Sequence, residues 1–230
     1  MTPAQLLDRF RRDVDDLDLD PNDQSDLLWS DEDVMHYMEE AHRDLVVGAL
    51  YLHKVLEIPV NEGEAVSALP SSFLEMRGER AFLRTARTFV VEREQAGFSG
   101  AHDDYGQFVP SSPFVQDAPP GRPRVFTLDM ENDQITFFPT PEANDILELP
   151  AYVEPPRIAV AEQFAFSNES HQLALLDGMK AMAYRKQDAD AYDPNQAETW
   201  QGRFDAKISA IKWERMRRRR KPGQIRYGGI

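Results

Sequence analysis

The sequence contains no cysteine, so neither disulfide bonds nor thiolate chemistry are available to it. No stretch approaches the roughly 18 consecutive apolar residues of a membrane span. The first residues, Met1-Thr2-Pro3-Ala4-Gln5, lack the basic lead and the apolar core of a signal peptide. We therefore expect a soluble protein that stays in the compartment where it is made and has no membrane partner.

Catalytic motifs are also scarce. Neither GxxxxGK[ST] nor GxGxxG occurs, and Gly97-Phe98-Ser99-Gly100 lacks the spacing of a nucleophile elbow. Glu39 and His42 have the Glu-x-x-His spacing of di-iron bundles, but no second such pair exists, and a polar helix face is the alternative interpretation. The sequence therefore predicts a protein that is not an enzyme and has neither cofactor nor metal, with a ferritin-like metalloenzyme as a weaker hypothesis.

The formal net charge is -14, which disfavours a general affinity for nucleic acid. The charge is unevenly distributed, since the segment 8–44 is strongly acidic and the segment 207–226 is almost entirely basic. This separation of charge would favour contacts between copies of the chain or with a charged surface of a partner. Two solvated faces of opposite charge are the alternative.

Apolar spacing and capping residues predict helices at both ends of the chain. Ser30 is a good N-cap, and Asp33 stands three residues later as in a capping box. From there apolar residues recur at three- and four-residue steps, which predicts a helix from Asp31 to about Leu56. The other predicted helices run from Thr2 to about Asp16, from Ser167 or Asn168 to about Asp188, and from Asp193 into the arginine run.

The middle of the chain changes to a strand-like pattern. Short strands are predicted at Ala65–Leu69, Arg124–Met130, Gln134–Pro139 and Ile146–Val153, with Glu131-Asn132-Asp133 as a hairpin turn. The stretch 73–92 is ambiguous, and the stretch 97–123 is rich in Gly, Pro, Ser and Asp, which predicts a long exposed loop.

These elements predict an α+β fold that is mainly α. We expect an antiparallel helical bundle with an inserted small antiparallel β unit and an extended C-terminal tail. The predicted divisions are 1–60 for the first helices of the bundle, 61–160 for the β unit with its loop 97–123, 161–221 for a helical hairpin, and 222–230 for the tail.

The last helix carries the most informative pattern. Its apolar stripe is Ala197, Trp200, Phe204, Ile208 and Ile211. Five basic residues follow, which we call the basic collar: Arg217, Arg218, Arg219, Arg220 and Lys221. Because successive helical side chains are about 100° apart, the collar surrounds the helix rather than forming one reading face. It could contact DNA phosphates or an acidic protein surface, or simply stabilise the helix C-terminus.

Pro222-Gly223 ends this helix, and a short segment with apolar and aromatic residues follows. It is too short to fold by itself, and its apolar side chains would gain by docking on another surface. We call it the C-terminal tail and predict that it is a docking segment: Gln224, Ile225, Arg226, Tyr227, Gly228, Gly229 and Ile230.

Several segments, in this order, resemble the head-to-tail adaptor (connector) proteins of tailed bacteriophages. The stretch 28–45 is similar to their opening helix, which begins LWSD, and Leu69-Pro70-Ser71-Ser72-Phe73-Leu74 is similar to the strand entry that follows it. Ile135-Thr136-Phe137-Phe138-Pro139-Thr140-Pro141 resembles their hairpin, and Arg226-Tyr227-Gly228-Gly229-Ile230 resembles the tail that they send to the portal. The loop 97–123 has no counterpart in that pattern.

The resemblance implies a structural protein of the virion, assembled in the host cytoplasm and located at the interface of head and tail. It implies a ring, usually of twelve copies, whose partners are the portal protein, further copies of the chain and downstream tail or stopper proteins. DNA would pass through the ring without sequence recognition. The alternative function is a non-specific nucleic-acid-binding accessory protein that uses the basic collar.

Overall fold

The computed structural model of the chain describes residues 1–16, 27–92, 101–102, 108–109, 119–158, 163–187 and 192–219. The chain divides into two compact units, one formed by Met1–Leu52 with Glu154–Ile230 and the other by His53–Val153. Each unit has its own cluster of buried apolar side chains.

The first unit is helical, and its helices begin where capping residues stand in the sequence. Thr2 and Ser30 each form a capping box, and Asn168 and Asp193 accept hydrogen bonds from backbone N–H groups of the first turns that follow them. The four helices in the described residues are α1 (Pro3–Asp13), α2 (Asp31–Gly48), α3 (Glu169–Arg185) and α4 (Pro194–Arg219).

The core of this unit contains large side chains from every helix and from the segments between them. Phe10, Trp29, Met38, Leu45 and Phe204 are all fully buried there. The predicted stripe of α4 is confirmed, because Ala197, Phe204 and Ile211 are buried and Trp200 and Ile208 are partly buried.

The second unit consists of strands. In chain order they are β1 (His53–Val60), β2 (Val66–Ala68), β3 (Phe73–Met76), β4 (Arg80–Leu83), β5 (Thr88–Glu92), β6 (Ala101–His102), β7 (Phe108–Val109), β8 (Val125–Asp129), β9 (Gln134–Phe138) and β10 (Asp145–Val153). The main sheet has the order β1-β10-β4-β5-β8-β9-β2, with β3 also paired to β10, while β6 and β7 form a separate pair. The predicted hairpin is confirmed as β8 and β9.

The main sheet is almost closed on itself. Its two edge strands meet where the hydroxyl of Ser67 on β2 donates a hydrogen bond to the carbonyl oxygen of Pro59 on β1, at 2.7 Å. Alternate residues of the strands point inward, among them Ile58, Ile135 and Leu147, which are fully buried. The sheet is therefore barrel-like, with an apolar interior.

The prediction of a mainly α fold built as a helical bundle is wrong. The described residues contain ten strands and four helices, and seven strands follow one another around the barrel-like sheet. The pairing is also not purely antiparallel, because β5 and β8 run parallel. The sequence pattern underestimated the strands because most of them have only three to five residues, too few to show a clear period of two.

The C-terminal end of α2 was predicted too late in the sequence, which hid the first strand. The helix predicted to reach Leu56 ends at Gly48, and Leu50 adopts a positive φ of 47°. Val55 and Leu56 continue the helical spacing in the sequence, but they belong to β1, where Val55 is exposed while Ile58 faces the interior. In the predicted loop 97–123, β6 and β7 lie among the described residues, and 97–100, 103–107 and 110–118 lie outside them.

Gly178 on α3 provides a test of how closely the helices pack. A Cβ atom at this position would lie 2.9 Å from Ala41 Cβ and 2.9 Å from Phe204 Cε1. Gly178→Ala should therefore lower the free energy of unfolding by about 1–3 kcal/mol, measured by urea denaturation. Gly202→Ala on α4 is the matched control: a Cβ there meets nothing within 4 Å, and we expect stabilisation by about 0.5–1 kcal/mol. Equal effects of the two substitutions would contradict the close packing.

Candidate interaction surfaces

The basic collar lies only partly within the described residues. Arg217 and Arg218 are exposed on the last turns of α4, and the helix includes Arg219. Arg218 forms an ion pair with Glu214 one turn earlier on the same helix. Arg220, Lys221 and the whole C-terminal tail lie outside the described residues.

The same end of α4 exposes two large apolar side chains that sequence reasoning missed. Trp213 is 60% exposed and Met216 is 45% exposed. With Arg217 they stand at positions i, i+3 and i+4, which places them on one helix face. We call Trp213, Met216 and Arg217 the α4 tip. A face that combines an indole, a thioether and a guanidinium group has the composition of a protein interface.

The opposite face of this helix end is anchored to the rest of the first unit. Ile211 is buried, and the Arg215 guanidinium lies 4.0 Å from the centre of the Tyr51 ring. The Nε2 atom of His171, at the start of α3, lies 3.7 Å from Oε2 of Glu214. The α4 tip is therefore the outer face of a helix end that is held in place, just beyond the C-terminus of α2.

A groove between α1 and α2 has the opposite charge. Its volume is about 660 Å³. Leu7 and Met35, both partly buried, contribute apolar surface to it. Four carboxylates also line what we call the acidic groove: Asp8, Asp31, Glu32 and Glu39.

Most of these carboxylates are not neutralised by an ion pair within the described residues. Asp31 forms an ion pair with Arg11 at 2.5 Å, while Asp8, Glu32 and Glu39 form no ion pair with another described residue. His36 also lines the acidic groove, and its Nε2 atom lies 3.3 Å from Oε1 of Glu40. The acidic groove thus combines apolar surface with carboxylates that no described residue pairs.

A third candidate surface lies on the outside of the barrel-like sheet. Phe89 on β5 is 63% exposed and packs edge-to-face against Phe82 on β4, with ring centres 5.3 Å apart. Arg122 and Arg124 are exposed and line a groove with Phe89. The exposed aromatic ring beside two guanidinium groups makes this the third candidate contact surface.

The Glu39 and His42 pair does not form a metal site with other described residues. Glu39 lines the acidic groove, whereas His42 is 2% exposed and packs against Phe164 and Phe166, with ring centres 5.9 and 5.4 Å away. Its Nε2 accepts a hydrogen bond from the backbone N–H of Ala165 at 3.2 Å. Among the residues described, no three histidines or carboxylates are grouped as metal ligands would be. The alternative interpretation as a polar helix face is wrong for His42, which is buried, whereas Glu39 lines a surface groove.

Burial lowers the pKa of His42 to about 4, from an ordinary value of 6.5. The folded state therefore binds its proton less readily than the unfolded state. The contribution of neutral His42 to stability is fully present above pH 6.5 and is lost as the pH falls from 6.5 to about 4. That loss is on the order of 3 kcal/mol.

We expect the free energy of unfolding to fall over this pH range in the native chain and to fall less in His42→Gln. Glutamine keeps an acceptor near the position of Nε2 but does not titrate. Burial also lowers the pKa of His171, so part of the decrease should remain in the variant. Urea denaturation at a series of pH values measures the difference, and identical pH profiles would show that His42 does not cause the decrease.

Among the described residues, no helix combines the length and apolar character that crossing a membrane requires. A family model described as SU10 adaptor protein matches residues 1–226 of the chain. A comparison with curated proteins finds no match.

Proposed function

The chain belongs to the SU10 adaptor protein family, and we propose that this phage adaptor is the structural protein that joins the portal of the virion to its tail. In this proposal twelve copies form a ring beneath the portal, and downstream tail or stopper proteins bind the other side of the ring. The observation that carries the proposal is the family match over residues 1–226, which includes both structural units.

We further propose that the C-terminal tail contacts the portal. The exposed end of α4 supports this, because Arg217 and Arg218 are accessible there and Ile225, Tyr227 and Ile230 follow this helix in the sequence. Apolar side chains on a short extended segment gain free energy when they dock in a groove or add to a sheet edge of a partner. The basic collar precedes the tail and would favour a partner surface of negative charge.

The net charge of -14 supports a ring that lets DNA pass without binding it. A ring whose inner wall is acidic would repel phosphates, so that DNA could pass without adhering. The end of α4 gives no specific support to the alternative nucleic-acid-binding function, because Arg218 is paired with Glu214 and the exposed neighbours of the arginines are Trp213 and Met216.

Removal of 223–230 tests the docking role of the tail. The truncated chain should remain folded, which circular dichroism checks, and it should no longer sediment with portal rings. A full-length control with Ile225→Ser, Tyr227→Ser and Ile230→Ser should lose attachment as well, since it keeps the length but not the apolar side chains. Unchanged attachment of the truncated chain would contradict the docking role.

A further inference from the structure

The α4 tip and the acidic groove have complementary properties. The tip presents Trp213 and Met216 beside Arg217, and the groove presents Leu7 and Met35 beside carboxylates. Apolar surface would meet apolar surface, while the guanidinium group would meet Asp8, Glu32 and Glu39, which have no ion pair with another described residue. Neither surface is covered by the chain itself in the described residues.

The two surfaces lie at different ends of the helical unit. The acidic groove follows the first nine residues of α2, from Asp31 to Glu39. The α4 tip lies beyond the other end of α2, where Arg215 covers Tyr51. Because α2 has 18 residues, about 27 Å of helix separates its ends at 1.5 Å per residue. One chain cannot bring its own tip into its own groove without unpacking α4.

A heterologous, head-to-tail contact requires two complementary surfaces at separate places on the same chain. Such a contact repeats from copy to copy and generates a closed ring when the rotation between copies closes. We propose that the α4 tip of one copy docks in the acidic groove of the neighbouring copy, with Trp213 against Leu7 and Met35 and with Arg217 against Asp8, Glu32 and Glu39. This assignment rests on the proposed function, because it names the contact that builds the ring.

The docking also explains the unequal distribution of charge along the chain. The acidic segment 8–44 contributes the groove, and the basic segment 207–226 contributes the tip. A protein with net charge -14 would otherwise resist association of its copies. Contact between the only strongly basic segment and the acidic groove replaces this repulsion by attraction at the interface.

The absence of cysteine makes the contact directly measurable by disulfide cross-linking. Met35→Cys and Met216→Cys in one chain place a thiol in the groove and another on the tip. Under mild oxidation, at high concentration alone or on portal rings, this double variant should give a ladder of covalent multimers. Each single variant has one thiol and should give dimers at most. Met35→Cys with Met130→Cys is the matched control, since Met130 is also exposed but lies in the turn between β8 and β9.

Charge reversal tests whether the ladder depends on the proposed pairs. Arg217→Glu in the double-cysteine chain should reduce ladder formation about tenfold, because it places like charges together in the groove. Adding Glu32→Arg should restore most of it. A ladder that Arg217→Glu does not reduce, or a reduced ladder that Glu32→Arg does not restore, would overturn the assignment of the charged contact.

Cross-linking and portal attachment are measured on the same samples. The contact between copies and the portal-joining role can then be contradicted independently of each other. Attachment to portals without a ladder above the Met130 control would overturn the tip-to-groove contact and leave the adaptor role intact. A ladder without attachment would support the contact and contradict the portal-joining role. If Arg217→Glu removes portal attachment while no ladder forms in any sample, the tip belongs to the portal interface and the proposed contact between copies is overturned.

Discussion

Replacing Trp29 by alanine should lower the free energy of unfolding by about 3–5 kcal/mol, because a large buried side chain is lost and a cavity remains. Trp29 is 1% exposed, and its ring meets Phe10 and Tyr184 edge-to-face, each with ring centres 5.9 Å apart. Its indole N–H donates to the carbonyl oxygen of Ala183 at 3.2 Å. The side chain thus connects the segment before α2 with α1 and α3.

The chain contains its own control for this substitution. Trp213→Ala removes the same side chain from a position that is 60% exposed, so stability should change by no more than about 0.5 kcal/mol. Trp29→Phe should have an intermediate effect, since it keeps an aromatic ring but leaves the hydrogen bond to Ala183 unmade. Urea denaturation followed by helical circular dichroism compares the three variants. Equal destabilisation by the two alanine substitutions would contradict the placement of Trp29 in the core.

Replacing Arg11 by methionine should be similarly damaging, with a loss of about 3–5 kcal/mol. Arg11 is buried and donates to Asp16 at 2.7 Å, to Asp31 at 2.5 Å and to the carbonyl oxygen of Trp29 at 3.1 Å. The side chain of Asp16 is only 2% exposed, so the substitution leaves a buried carboxylate without its cation. Arg11 joins the end of α1 to the start of α2 through these bonds.

Two further variants separate the charge effect from simple loss of packing. Arg11→Met combined with Asp16→Asn should be more stable than Arg11→Met alone, because the double variant removes the uncompensated charge. Arg12→Met should change stability by less than about 0.5 kcal/mol, since Arg12 is exposed and donates only to the carbonyl oxygen of Asp8 among the residues described. If the double variant is no more stable than Arg11→Met, the buried ion pair is not the cause of the loss.

The sequence predicted helix starts well because they depend on local chemistry. Ser30 and Asp33 form their capping box within four residues, and Asp193 accepts hydrogen bonds from the first turn of α4. The β8–β9 hairpin was predicted for the same reason, since its strands adjoin the turn that connects them. The resemblance to phage adaptors is confirmed at the level of the family.

The barrel-like sheet could not be predicted in this way because its pairings are distant in sequence. β1 pairs with β10, with Ile58 opposite Leu147, and β2 pairs with β9. Nothing in the residues around Val55 indicates that β1 pairs with a strand about 95 residues later, where Val55 lies opposite Pro150. The apolar spacing from α2 therefore favoured a continued helix over β1.

The candidate surfaces depend partly on such distant packing. The acidic groove needs Leu7 from α1 next to Met35 from α2, and this proximity follows from tertiary structure alone. The α4 tip, in contrast, could have been predicted from the sequence. Trp213 lies off the stripe that contains Phe204 and Ile211, so a large aromatic side chain was bound to be on the outer face of the helix.

Cryo-electron microscopy of the full chain mixed with portal rings tests the central claim most directly. The account predicts a closed ring of density on one face of the portal, with the helical unit of each copy placed so that its C-terminal segment reaches the portal. Addition of the chain lacking 223–230 provides the control and should leave the portals bare. Bare portals at saturating concentrations of the full chain would contradict the account.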